Sequence, residues 1–128
     1  MMVRRSVLLV EDDEALRSIL ARHLRARDYV VLEADSSEAA VGILESGSRP
    51  SVMVLDINLP GDTGWSLLRD RRHLAMAGDP PVVIASATTV SPHRLEEFGV
   101  AGYLPKPFPL ETLLSTLERL LDPEDGGS

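Results

Sequence analysis

The 128-residue sequence contains no cysteine, which excludes disulfides, thiolate catalysis and Cys-based zinc or iron–sulfur sites. Any metal it binds must be held by oxygen. Positive charge is also scarce: 13 Lys and Arg stand against 20 Asp and Glu, for a net charge of −7. That balance argues against a sequence-independent nucleic-acid or anionic-membrane role and favours cations and proteins as partners. Long hydrophobic runs are missing as well. Behind the basic start at residues 1–5, the first apolar run meets Glu11-Asp12-Asp13 after about five residues, too few for a signal core or a membrane span. The expected location is therefore the cytoplasm. No internal repeat is visible, and the length suits one domain with a single core, expected over residues 4–121. Residues 122–128 read as a disordered tail or the stub of a linker.

What is present is an alternation of short apolar runs with helical patterns, the sequence form of a parallel sheet with crossover helices. Five strands are expected at about 6–10, 30–33, 52–56, 82–86 and 102–105. The second is the shortest and most mixed, which suits an edge. Five helices are expected between and after them. The first follows Asp12-Asp13 as a cap and carries Leu16, Ile19, Leu20 and Leu24 as its apolar stripe. The second is capped from Asp35-Ser36-Ser37-Glu38, buries Ala40, Ile43 and Leu44, and stops at Gly47. A third runs from Gly64 to near Gly78, with Arg69, Asp70, Arg71 and Arg72 on a solvated face. A short fourth starts at Ser91-Pro92, carries Leu95 and Phe98, and closes at Gly99. The last has the stripe Leu110, Leu113, Leu114, Leu117 and Leu121. Right-handed crossovers make this an α/β doubly wound sheet with helices on both faces. In such sheets, sites form at the carboxyl ends of strands where strand order reverses.

Five residues with chemistry to offer fall at those ends. Val7-Leu8-Leu9-Val10 runs into Glu11 and Asp12, Val52-Met53-Val54-Leu55 closes on Asp56, the fourth strand ends at Ser86, and Tyr103-Leu104-Pro105 leads into Lys106. Glu11, Asp12 and Asp56 brought together would repel one another unless a cation intervened. Mg²⁺ takes hard oxygens and keeps several waters, so these carboxylates with a backbone carbonyl at Asn58 would suffice. Asp56 beside a metal could act as nucleophile toward a phosphoryl group. Lys106 would add positive charge and Ser86 a hydroxyl hydrogen bond to its oxygens. Alone, an acid run is usually a solvated helix start, and Asp56 or Ser86 could merely end a strand. Lys106 between Pro105 and Pro107 is harder to set aside, since two prolines forgo backbone hydrogen bonds to fix its direction.

Taken together, the residues resemble the receiver domains of two-component response regulators, similar to the single-domain chemotaxis type. The resemblance rests on Leu8-Leu9-Val10-Glu11-Asp12-Asp13, Val54-Leu55-Asp56 with Leu59-Pro60-Gly61 and Gly64, Ser86-Ala87, and Gly102-Tyr103-Leu104-Pro105-Lys106-Pro107-Phe108. It implies a flavodoxin-like sheet in the order 2-1-3-4-5. It further implies that a histidine kinase or phosphotransfer protein donates a phosphoryl group to Asp56, with Mg²⁺ held by Glu11, Asp12, Asp56 and the Asn58 carbonyl. Ser86 and Tyr103 would then move and alter the surface of the fourth helix, fifth strand and fifth helix, which a downstream protein or effector domain reads. A cis Lys106-Pro107 peptide is implied too. The stretch from Ser86 to Lys106 is about two residues shorter than the family pattern, which shortens the fourth helix or the loop before it.

The three histidines, His23, His73 and His93, fall on different helices without a partner at ligand spacing, and read as surface or rim residues. Trp65 reads as a partly buried anchor near the site mouth. Rival functions are a degenerate receiver that only binds proteins, an aspartyl-phosphate phosphatase and a flavin carrier. The phosphatase needs a second acid two residues after its nucleophile, where this chain has Asn58. The flavin carrier needs a phosphate cradle where the first loop is acidic.

Overall fold

The computed structural model describes residues 4–59 and 63–122. The middle of the turn expected after Asp56 (residues 60–62) and the expected tail from residue 123 onward lie outside the described residues.

Five strands form one parallel sheet: β1 (Ser6–Val10), β2 (Val30–Ala34), β3 (Val52–Asp56), β4 (Val82–Ser86) and β5 (Gly102–Pro105), in the order β2-β1-β3-β4-β5. The β-branched runs of β3 and β4 are buried at every position, as a sheet covered on both faces requires. β2 lies at an edge, as its mixed composition predicts. Strand order reverses across β1 and β3, whose register pairs Val10 with Leu55, so Glu11 and Asp56 emerge side by side.

Alternation along the strands divides the core. Leu8, Val10, Met53, Leu55 and Ile84 point to one face, where they meet Ala40 and Leu44 of α2 (Ser37–Glu45), Leu67 and Leu68 of α3 (Gly64–Arg69) and Leu74 of α4 (Arg71–Met76). Leu95 of α5 (Pro92–Glu97) and Phe98 pack at the margin of that cluster. Val7, Leu9, Val52, Val54 and Val83 point to the other face, against Leu20, Ala21 and Leu24 of α1 (Glu14–Ala26) and Leu113, Leu114 and Leu117 of α6 (Leu110–Leu121). The caps fall where the sequence places them: Asp13, Ser36 and Ser91 each accept a hydrogen bond from the backbone N–H three residues on. Gly47, past the end of α2, has φ +97°, a conformation in which a Cβ would be strained.

Two expectations are corrected. The third helix is not continuous: Asp70 leaves the helical region (φ −88°, ψ 92°) and caps α4, so six helical segments are present among the described residues. Its carboxylate accepts from the Arg72 N–H at 3.2 Å and from the guanidinium at 2.9 and 2.8 Å. Those bonds, the side-chain bond foremost, hold its pKa well below the usual carboxylate range. Asp favours such local bonding over a helix interior. Ile19 is 47% exposed, and Ala21 takes its place in the stripe of α1. The fourth expected helix, α5, is short, six residues long. No helix among the described residues is long and apolar enough to cross a membrane.

Candidate functional site

β1 delivers Glu11, whose N–H donates to Ala34 O at 2.9 Å and extends the ladder past Val10. Asp12 follows, exposed, and Asp13 then caps α1. β3 ends on Asp56 and β4 on Ser86, both buried. Just past β5, Lys106 donates its backbone N–H to Ser86 O at 2.8 Å, and the Lys106–Pro107 peptide is cis. Glu11, Asp12 and Asp56 each offer a carboxylate oxygen within 4.8 Å of the others. The Lys106 ammonium donates to Glu11 Oε1 at 2.6 Å and to Asp56 Oδ2 at 3.2 Å. Asp56 Oδ1 accepts from the Asn58 N–H at 2.9 Å, and Glu11 Oε2 from the Asp13 N–H at 3.1 Å.

Burial, reinforced by the Asp56 charge, raises the pKa of Glu11 against the opposing bonds from Lys106 and Asp13. Burial works against the Lys106 charge, but the Glu11 bond and the Asp56 charge outweigh it, and its pKa is raised. Three carboxylates face one ammonium, so ionised they leave two negative charges uncompensated. The donors are hard oxygens, and the imbalance is that of one divalent cation; the residues present therefore fit Mg²⁺.

Ser86 bonds to Asn58 and to the residues that follow β4. Its hydroxyl lies 2.9 Å from Asn58 Oδ1, 2.9 Å from Thr88 O and 2.9 Å from Thr88 Oγ1. The Thr88 carbonyl also accepts from Tyr103 Oη at 3.4 Å, so one backbone oxygen joins the serine and the tyrosine. A pocket beside these groups is lined by Ile57, Asn58, Thr63, Trp65, Thr88 and Arg94, among others. Trp65 packs on Phe98 with ring centroids 4.9 Å apart, and the Arg94 guanidinium lies 4.6 Å from the Trp65 centroid. Gly64 seats α3 against the end of β3: a Cβ there would lie 2.9 Å from Asp56 O and 2.9 Å from Ile57 Cδ1.

The structure thus brings together every residue the sequence singles out for the site: Glu11, Asp12, Asp56, Asn58, Ser86 and Lys106. The histidines stay out of it, although His73 Nε2 is 3.2 Å from Glu45 Oε2, a partner the sequence does not reveal. Sequence reasoning also misses Arg17, which donates to the Glu11 carbonyl at 2.9 Å. Lys106 is also the only lysine in the chain, a signal in the sequence that sets it apart.

The family model of the response regulator receiver domain matches residues 7–118. The chain belongs to that family and is a response regulator receiver domain of a two-component system. It is 34% identical over 125 residues to the response regulator MprA of Mycolicibacterium vanbaalenii, covering 94% of this chain and 53% of that protein. It therefore spans about half the length of that curated relative. Among solved structures, it resembles the receiver domain of the hybrid histidine kinase CckA (36% identity, TM-score 0.76, covering 91% of this chain and 99% of that one). It also resembles the chemotaxis protein CheY4 of Vibrio cholerae (30% identity, TM-score 0.83, covering 93% of this chain and all of that one).

Proposed function

We propose that the domain, residues 4–121, accepts a phosphoryl group on Asp56 from the phosphohistidine of a histidine kinase or phosphotransfer protein, in the cytoplasm. The observation that carries this reading is a buried Asp56 at a strand end, bonded to Lys106 and grouped with Glu11 and Asp12. An Asp56 carboxylate oxygen attacks phosphorus, the P–N bond breaks, and the imidazole leaves with the bonding pair and takes up a proton. Glu11, Asp12, Asp56 and the Asn58 carbonyl would hold Mg²⁺, which when bound would supply positive charge for the phosphoryl oxygens. Lys106 supplies a second positive charge and orients the group, and Ser86 donates its hydroxyl to a remaining oxygen. The domain contributes this chemistry itself, so a small phosphodonor can replace the kinase.

Switching follows from the same contacts. When Ser86 turns to the phosphoryl group it leaves Asn58 and Thr88, the loop carbonyl it shares with Tyr103 is released, and Tyr103 swings inward behind it. The surface of α5, β5 and α6 then changes for a downstream protein or effector domain. Phosphorylation biases two pre-existing states by its differential contacts with them.

The test is intact-protein mass spectrometry after incubation with acetyl phosphate, with and without Mg²⁺, on wild type and Asp56→Asn. One added phosphoryl group that requires both Mg²⁺ and Asp56 is expected. No adduct would favour a degenerate, protein-binding receiver, and an adduct retained in Asp56→Asn would place the acceptor elsewhere. Rapid turnover of an added phosphomonoester would instead favour the phosphatase.

A further inference from the structure

We infer that Arg17 is a positioning residue for the carboxylates at the end of β1, an inference that rests on the Mg²⁺-dependent reading above. Its side chain is only 16% exposed, although Arg17 belongs to a helix whose other arginines, Arg22 and Arg25, are exposed. Nη1 donates to the Glu11 carbonyl at 2.9 Å and Nε donates to Glu33 Oε1 at 3.2 Å. Glu33 is held from the other side by Arg25 Nη2 at 3.1 Å, and the same Arg25 nitrogen donates to the Val31 carbonyl at 3.0 Å.

The chain of contacts ends at the acid cluster. Glu11 is fixed at its N–H by Ala34 O, at its carbonyl by Arg17, and at its two carboxylate oxygens by Lys106 and the Asp13 N–H. The Glu11 carbonyl belongs to the peptide that leads into Asp12, so Arg17 fixes the orientation of the unit that carries both carboxylates. Asp12 itself is exposed, and its direction depends on that peptide. Ligand-orienting contacts of this kind commonly change metal affinity by about 10- to 100-fold when removed.

The sign of the effect separates positioning from charge. Arg17 is a cation close to a cation site, and if it acted only through its field its removal would tighten Mg²⁺ binding. If it acts by holding the Glu11–Asp12 peptide, removal weakens binding. If it serves stability alone, the melting temperature falls and the affinity does not move.

The experiment is a Mg²⁺ titration followed by amide NMR shifts on the unphosphorylated domain, with Arg17→Gln and Arg17→Lys. Arg17→Gln is expected to weaken Mg²⁺ binding about tenfold while the spectrum stays dispersed, with Arg17→Lys between it and wild type. Unchanged or tighter binding in Arg17→Gln overturns the inference. Should that variant not fold, Arg17→Lys asks the same question with the positive charge kept and the paired contacts to Glu11 O and Glu33 lost. Weaker Mg²⁺ binding there supports positioning, and wild-type affinity overturns it. Wild type that shows no Mg²⁺-dependent shifts at Glu11, Asp12 or Asp56 would instead overturn the underlying metal-dependent reading.

Discussion

The ammonium of Lys106 sits 2.6 Å from Glu11 Oε1, nearer than the 3.2 Å that separates it from Asp56 Oδ2. This lysine bonds two of the three clustered acids, and the third, Asp12, adds its charge to theirs. Removing that charge is expected to stabilise the fold. Asp12→Asn should gain about 1 kcal/mol in urea unfolding with chelator present, as expected for like charges partly screened by water. Mg²⁺ should stabilise wild type by mass action and Asp12→Asn less. A variant no more stable than wild type under chelation would show that the cluster stores no repulsion at Asp12.

The Ser86 hydroxyl is held by Asn58 and Thr88, and these two side chains are joined to each other, Asn58 Nδ2 donating to Thr88 Oγ1 at 3.4 Å. On the phosphotransfer reading proposed above, they flank the path of water to Asp56. Truncating either to alanine opens that path and frees Ser86. Loss of the phosphoryl group should then quicken by about threefold to tenfold, since such rates are sensitive to small changes in placement around the reacting atoms. The decay of the phosphorylated mass peak after removal of acetyl phosphate measures this, and an unchanged decay in both variants refutes it.

Much of this arrangement is legible in the sequence because it is set locally. Two-sided apolar runs mark β3 and β4, and Asp13, Ser36 and Ser91 announce their helices by their side-chain chemistry. Proline on both sides isolates Lys106. The illegible parts depend on contacts distant in sequence or on a choice between near-equal registers. Ile19 and Leu20 both fit the helical stripe of α1, and only packing on the sheet decides that Leu20 and Ala21 turn inward. Arg17 resembles the other arginines of α1 until β2 brings Glu33 alongside. Asp70 reads as one charge on a solvated face until its carboxylate turns onto Arg72 and ends α3.

Gly64 offers a test of how tightly the end of β3 is seated. Alanine normally improves a helix by about 1 kcal/mol relative to glycine. Here its Cβ would lie 2.9 Å from Asp56 O, a backbone atom with little freedom to retreat. Gly64→Ala is therefore expected to destabilise by about 1–3 kcal/mol and to move the amide resonances of Asp56 and Ile57. A gain in the urea midpoint would mean that the loop yields without cost.

Tyr29 is expected to set the alkaline limit. It is buried between α1 and α6, and burial first, then the Glu118 charge, raises its pKa above 10.0. A raised pKa means that the folded state favours the neutral phenol. Its contribution is present in full below the unfolded pKa near 10 and is lost as pH rises from there through the higher folded value. Tyr29→Phe, which cannot ionise, should therefore unfold at higher pH than wild type. The sequence has two tyrosines, so the tyrosinate absorbance that disappears in Tyr29→Phe is assigned directly, and it should develop alongside the loss of circular dichroism. An identical alkaline midpoint for the two proteins would remove Tyr29 as the group that limits stability there.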